Sequence, residues 1–227
     1  MCLTFKKINT KKATIVMKKS VSSPSDTAKA ITPIDTRDSI LENAKQLFAV
    51  QGYEGLSMRD LARALNMSAS VIYHYFPDKE ALYVATIEYA YSKNGALFNA
   101  PLVTNQPATE RLRLFVLNFC RFLAADPDFV RLIKREQLGG NEIRLRYLAE
   151  HLLAKQFKAM RALFTELAPD LDTHIVSMSL LGAILHLFET QHMRHFLPGH
   201  RKDHDNAEFI AETIYVIFSN IGKQKTK

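Results

Sequence analysis

The segment SASVIYHYFPDKEAL, residues 68–82, places hydrogen-bonding side chains at spacings that could serve one surface. It opens with small residues, continues with two tyrosines and a histidine, and carries Lys79 two positions after Pro77. On a helix, Tyr73 and His74 would lie on adjacent exposed rows, each with a small residue four positions earlier. Small side chains allow close approach to base edges in a DNA groove, and Tyr, His and Lys can hydrogen-bond phosphates. We therefore expect a nucleic-acid contact surface; half-buried tyrosines and a solvated lysine are the alternative.

Two short helices and a turn must position this segment. Ser57 and Asp60 have capping-box spacing at the start of the first helix, and Asn66, which tolerates positive φ, follows its end. Ser68 is predicted to cap the second helix, which Pro77 ends. This is the spacing of a helix-turn-helix unit.

The flanking sequence predicts one helix on each side of this unit. An apolar stripe begins near Ile40 and continues to Phe48, and Gly52 is expected to stop that helix. Asp78 is expected to cap a longer helix that reaches the high nineties. Val71, Ile72, Tyr75 and Phe76 are predicted to form the buried side of the second short helix.

The stretch from Ile40 to Ile87 resembles the DNA-binding domain of the TetR family of bacterial transcriptional regulators. The matching features are Ala44, Leu47-Phe48, Gly52, Ser57, Leu61-Ala62, Tyr73-His74-Tyr75-Phe76 and Lys79-Glu80-Ala81-Leu82. Two positions depart from the family pattern, because Asn66 and Ser70 stand where glycine is common. The resemblance covers residues 40–87 of a 227-residue chain.

The resemblance implies a homodimer formed through the two C-terminal helices, an effector cavity in the larger domain and a double-stranded DNA operator. It implies a ligand-responsive regulator, in most family members a repressor, whose effector is unknown. By position, the DNA-contacting candidates are Ser57, Arg59, Ser68, Ala69, Ser70, Val71, Tyr73, His74 and Lys79. Val71 is equally consistent with a core position.

The whole chain is predicted to be all-α, with about nine helices. Residues 1–36 form a basic arm, 37–86 the helix-turn-helix domain, 87–222 the effector-binding and dimerisation domain, and 223–227 a basic tail. The last five predicted helices are Thr109–Ala125, Pro127–Leu138, Glu142–Leu167, Thr173–Phe196 and Asn206–Ile221.

Apolar stripes in the C-terminal part are expected to be mainly core, with an effector pocket among them. The candidate lining residues are Phe115, Phe119, Phe122, Phe157, Met160, Met178, Leu181 and Leu185, because aromatic and Met walls suit an adaptable pocket. His186, Glu189 and His192, spaced by three, could ligate a metal, but a polar interface rim is the favoured interpretation. Cys120 lies among phenylalanines and is expected to be a buried, inert thiol.

Composition limits the remaining possibilities. Two cysteines exclude a disulfide framework, and the absence of a long apolar run or signal sequence predicts a cytoplasmic protein with no membrane partner. The net charge of +7 resides mostly at the ends, with seven Lys and two Asp in residues 1–36, whereas residues 37–90 carry five basic and seven acidic residues. A DNA-binding surface in that region must therefore be a local patch.

The favoured function is a ligand-responsive regulator, and a non-specific or architectural DNA-binding protein is the alternative. No G-x-S-x-G, H-E-x-x-H or P-loop sequence is present, so an enzyme is not expected, and neither a cofactor nor a metal is predicted.

Overall fold

The computed structural model describes residues 33–139 and 141–221 of the chain. Within these ranges it contains eleven α-helices and no β-strand, which confirms the predicted all-α fold. The helices are α1 Pro33–Gly55, α2 Met58–Ala64, α3 Ala69–Tyr75, α4 Lys79–Asn99, α5 Ala108–Ala125, α6 Pro127–Gly139, α7 Glu142–Tyr147, α8 Ala154–Leu167, α9 Thr173–Glu189, α10 Gln191–Arg194 and α11 Ala207–Ser219.

The N-terminal arm was predicted to reach residue 36, but α1 already begins at Pro33. Proline suits the first helical position, because its missing N–H would have no partner there. The rest of the predicted arm and the basic tail at 223–227 lie outside the described residues.

Two predicted helices are each divided in the structure, which explains eleven helices instead of nine. The predicted Glu142–Leu167 helix passes through a π-helical turn, Leu148–Leu153, between α7 and α8. The predicted Thr173–Phe196 helix breaks at Thr190, whose hydroxyl donates to the carbonyl of His186 at 2.6 Å. Neither break contains glycine or proline, so the sequence carried no signal for it.

The helices enclose two hydrophobic cores. The first joins α1 to α4 and receives Leu132 from α6 and Leu148 from the π-helical turn. The second joins the end of α4 to α5, α8, α9 and α11 around an aromatic cluster in which the Phe98 and Phe122 rings lie 5.2 Å apart. Helix α4 contributes side chains to both cores. The predicted domain boundary between residues 86 and 87 falls inside this continuous helix. The division into two domains therefore stays a prediction.

Gly52 interrupts α1, as predicted, with φ +77° and ψ 175° before one last helical turn. The carbonyls of Ala49 and Val50, which precede the break, accept hydrogen bonds from Arg135 at 2.9 and 2.8 Å. A Cβ on Gly52 would lie 3.1 Å from the Arg135 guanidinium. Glycine is therefore required both by the backbone conformation and by this close approach.

Among the described helices, none combines the length and the hydropathy that crossing a membrane would need.

Candidate nucleic-acid interface

A capping box fixes the start of α2, as the sequence predicted. The Ser57 hydroxyl accepts a hydrogen bond from the Asp60 N–H at 3.1 Å, and the Ser57 N–H donates to the Asp60 carboxylate at 3.3 Å. The Ser57 hydroxyl also donates to that carboxylate, which lowers the pKa of Asp60. Ser57 was predicted to contact DNA, but its hydroxyl proton already serves this cap.

The turn between α2 and α3 depends on Asn66, which has the predicted positive φ, +52°. Ser68 occupies the N-cap position of α3, but its hydroxyl bonds to Ser70 at 2.8 Å and makes no side-chain cap. Ile72 and Phe76 are buried and anchor α3 to the first core. The opposite side of the helix is thereby held toward solvent.

The exposed side of α3 carries most of the predicted contact residues. Ser70, Tyr73 and His74 are exposed, and Ala69 is partly exposed. Tyr73 is 49% exposed and has no partner for its hydroxyl among the described residues. Val71 was expected on the buried side or at the DNA; its exposed side chain excludes the core position.

Arg59 on α2 is also exposed and has no hydrogen bond or ion pair within the described part of the chain. Its guanidinium is therefore available to a phosphate or a base.

Lys79 lies at the first position of α4, directly after the predicted cap, Asp78, which accepts from the Ala81 N–H at 2.7 Å. The Lys79 ammonium lies 4.1 Å from the centre of the Tyr53 ring and 4.0 Å from the carboxylate of Glu54. Tyr53 therefore holds this cation in place through a cation–π contact. The carboxylate of the adjacent Glu80 pairs with Arg144 instead.

Glu80 belongs to a partly buried cluster that we call the Arg144 clamp, formed by Arg144, Glu80, Glu136, Tyr53 and Tyr83. The Arg144 guanidinium bonds to Glu136 at 3.0 Å and to Glu80 at 3.1 Å. It also lies 4.4 Å from the centre of the Tyr53 ring and 5.2 Å from that of Tyr83. The clamp joins the start of α4 to α6 and α7.

The surroundings shift the pKa values of three clamp residues, the two tyrosines and Arg144. Burial, with the hydrogen bond to Glu80, raises the pKa of Tyr53 to about 12. Burial also raises the pKa of Tyr83, and the nearby Glu136 adds to that effect. Burial alone would lower the pKa of Arg144, but the two carboxylates outweigh it and raise that pKa. Both tyrosines therefore stay neutral, and Arg144 stays charged, at physiological pH.

Three functional candidates near this surface were missed from the sequence: Tyr53, Arg144 and Arg37. The exposed Arg37 guanidinium lies 5.3 Å from the centre of the Phe76 ring, beside the end of α3. Arg37 could have been noted as the first cation before the apolar stripe of α1. Its proximity to Phe76 depends on how three helices pack, so no local pattern reveals it.

The predicted effector-lining residues separate into three groups. Phe115, Phe119, Phe122 and Met160 are buried in the second core. Leu181, Leu185 and Phe157 are only partly buried, and the Phe157 ring contacts His174. Met178 instead lies exposed on α9, away from the core that was expected to hold the pocket.

The three-residue spacing of His186, Glu189 and His192 does not create a metal cluster. Glu189 pairs with Lys134 at 3.7 Å, and both histidines are at least partly exposed.

Cys120 is fully buried, and burial raises its pKa to about 12, which confirms the predicted buried thiol. A thiol with such a pKa is unreactive at neutral pH.

Comparison with known protein families identifies the helix-turn-helix region. Residues 40–86 match the family model described as bacterial regulatory proteins, tetR family. The HTH-type transcriptional repressor AcnR of Corynebacterium efficiens is 45% identical over 53 residues, which cover 23% of this chain and 28% of that protein. The match therefore spans less than a third of that relative and is confined to one region.

Solved structures extend the similarity beyond that region. PfmR, a TetR family transcriptional regulator from Thermus thermophilus, is 25% identical with a TM-score of 0.62, covering 80% of this chain and 94% of that chain. AibR, solved with isovaleryl coenzyme A and operator DNA, has a TM-score of 0.65 at 24% identity, covering 80% and 97% of the two chains. The resemblance that the sequence indicated is thus confirmed.

We predict that Arg144→Met lowers the free energy of unfolding by about 3–5 kcal/mol, because it leaves the carboxylate of Glu136, only 3% exposed, buried without a counterion. Glu80→Ala should cost less than about 1 kcal/mol, because Glu80 is 45% exposed and Glu136 still neutralises Arg144. Urea unfolding at neutral pH measures both.

A double variant, Arg144→Met with Glu136→Leu, is the control and should recover most of the loss, because no buried charge remains. An Arg144→Met protein as stable as the wild type would contradict the account of the clamp.

Proposed function

We propose that this chain, which belongs to the TetR family of bacterial regulatory proteins, is a transcriptional regulator that a small-molecule effector releases from its operator. The observation that carries the proposal is the outward side of α3, where Tyr73, His74 and Ser70 are exposed while Ile72 and Phe76 anchor the opposite side. Lys79, held by Tyr53, lies at the start of the next helix. The relative AcnR is named a repressor, which favours repression and gives no reason to expect an enzyme.

In this proposal α3 enters the major groove. The small residues Ala69 and Ser70, with the methyl groups of Val71, approach base edges. Tyr73, Lys79 and Arg37 donate to phosphates, which position the helix without reading sequence. Such a protein acts where bacterial DNA is, in the cytoplasm.

The proposal includes a homodimer through α9 and α11. These helices expose apolar side chains that a monomer would leave in water: Ile175, Met178, Phe209, Val216 and Ile217. An exposed apolar surface of this kind is typical of an interface. A two-fold dimer would present two copies of α3 to a pseudo-palindromic site.

The effector is proposed to bind within the second core. AibR, which shares the fold, was solved with an acyl coenzyme A and operator DNA. In this chain the aromatic side chains from α5 pack against one another, so a bound effector would have to part α5 from α8 or α9. An effector that binds the conformation with these helices separated would shift the population away from the conformation that fits the operator.

Selection from random duplex DNA with the full chain tests the function. We expect a pseudo-palindrome whose half-site centres are about 34–36 Å apart, one helical turn, or slightly more. A selected pool without any shared sequence would contradict the proposal and favour the non-specific DNA-binding alternative.

We predict that Tyr73→Phe weakens binding to the selected operator about two- to tenfold without changing the preferred sequence, because one hydrogen bond to a phosphate is lost. The half-buried neighbour offers a matched control, Tyr75→Phe, which should leave the affinity unchanged. Fluorescence anisotropy with a labelled duplex measures both. Altered preference at one base pair in Tyr73→Phe would show that Tyr73 reads sequence.

We predict that the wild-type chain sediments as a dimer at micromolar concentration and that Ile217→Glu converts it to a monomer. Ile217 is 55% exposed on α11, and a carboxylate there would be buried against the partner chain without a counterion. Val103→Glu, at another exposed apolar position, should leave the dimer intact. A wild-type monomer, or an unaffected Ile217→Glu dimer, would contradict the proposed interface.

A further inference from the structure

The loop between α10 and α11 brings three metal-ligating side chains together. His195, His200 and Asp205 each offer one ligand atom, and these atoms all lie within 4.8 Å of one another. Nε2 of His195 lies 2.9 Å, and Nε2 of His200 3.4 Å, from the same oxygen, Oδ2 of Asp205. Two imidazoles therefore converge on one carboxylate oxygen.

The backbone of this loop is fixed by its own hydrogen bonds. Gly199, with φ +82°, reverses the chain, and the His200 N–H donates to the Leu197 carbonyl at 3.3 Å. The Arg194 guanidinium donates to the His204 carbonyl at 2.9 Å and lies 3.5 Å from Oδ1 of Asp205. Because Arg194 holds Oδ1, the other carboxylate oxygen stays turned toward the imidazoles.

His200 provides a second, independent observation. Its Nε2 atom is buried, and although it lies 3.4 Å from Oδ2 of Asp205 it has no partner with hydrogen-bond geometry among the described residues. A buried polar atom without a partner is uncommon in a folded protein and calls for a ligand that it can bind. Its neighbour His195 is exposed, so an ion could enter from solvent on that side.

We propose that His195, His200 and Asp205 bind a divalent transition-metal ion, with Zn²⁺ the best match to the ligand set. Two imidazole nitrogens and one carboxylate oxygen suit this borderline cation, and water would complete a tetrahedron. Arg194 would then be an outer partner that orients the ligating carboxylate, as such partners commonly do. Regular helical spacing does not reveal these three ligands in the sequence, because it is the turn between α10 and α11 that brings them together.

An ion bound here would link the end of α10 to the start of α11. The loop also contacts α11 directly, because the rings of His204 and Phe209 lie 5.6 Å apart and the Arg201 guanidinium lies 5.8 Å from the centre of the Phe209 ring. Phe209 belongs to the apolar face proposed for dimerisation. The metal site itself does not depend on that proposal, since ion binding can be measured without DNA or an effector.

Co²⁺ titration of the untagged full chain, followed by visible absorption, tests the site. Cys2→Ser should be present throughout to remove a competing thiol, and Zn²⁺ competition then gives its affinity. We expect one ion per chain with the absorption of four-coordinate Co²⁺. His200→Gln should weaken Co²⁺ binding by at least about tenfold, because replacing even an outer partner of a metal ligand commonly costs about 10–100-fold.

Two matched variants serve as controls, namely His192→Gln, an exposed histidine nearby, and Asp203→Asn, an acid of the same loop that pairs with Arg201. Both should bind Co²⁺ as the wild type does. In EDTA, His200→Gln should unfold at nearly the wild-type urea concentration, because the substitution removes only a long contact of 3.4 Å between Nε2 and Asp205.

Absence of Co²⁺ and Zn²⁺ binding in the wild type would overturn the proposal. Unchanged binding by His200→Gln, or equal weakening by His192→Gln, would overturn it as well, since either result indicates adventitious binding.

Discussion

The buried guanidinium of Arg144 is the interaction on which the placement of the candidate DNA-binding surface depends. It bonds to Glu80 at the start of α4 and to Glu136 on α6, and it contacts the tyrosine ring that also holds Lys79. A buried charge must keep a counterion, because an unpaired ion is costly in a low-dielectric interior. The first turn of α4, and with it Lys79, is therefore fixed relative to the helices that follow.

The acidic character of residues 37–90 is compatible with DNA binding because most of its carboxylates have structural partners. Asp60 and Asp78 cap helices, and Glu80 lies in the Arg144 clamp. Glu42 pairs with Lys45 and Lys93, and Glu88 accepts a hydrogen bond from Tyr147. Glu54, 93% exposed, differs from these in facing solvent beside Lys79. The exposed cations Arg37 and Arg59 can then form a local basic patch. A local patch is what DNA binding needs here, because residues 37–90 as a whole carry more acidic than basic residues.

Features fixed by neighbouring residues could be predicted from the sequence, and features fixed by packing could not. The capping box at Ser57, the positive φ of Asn66 and the break at Gly52 each follow from local backbone chemistry. The contact between Tyr53 and Lys79 and the reach of Arg144 to Glu80 join residues far apart in the chain. The metal-ligand set formed by His195, His200 and Asp205 depends on a turn whose path has no periodic pattern.

The affinity of Glu80→Ala for the selected operator, compared with that of Glu54→Ala, tests the central claim most directly. Both substitutions remove a negative charge near the proposed phosphate contacts, so electrostatics alone would make both bind more tightly. If the Arg144 clamp positions the DNA-binding surface, Glu54→Ala binds more tightly and Glu80→Ala binds more weakly than the wild type. A Glu80→Ala protein that binds the operator as well as or better than the wild type would contradict the account.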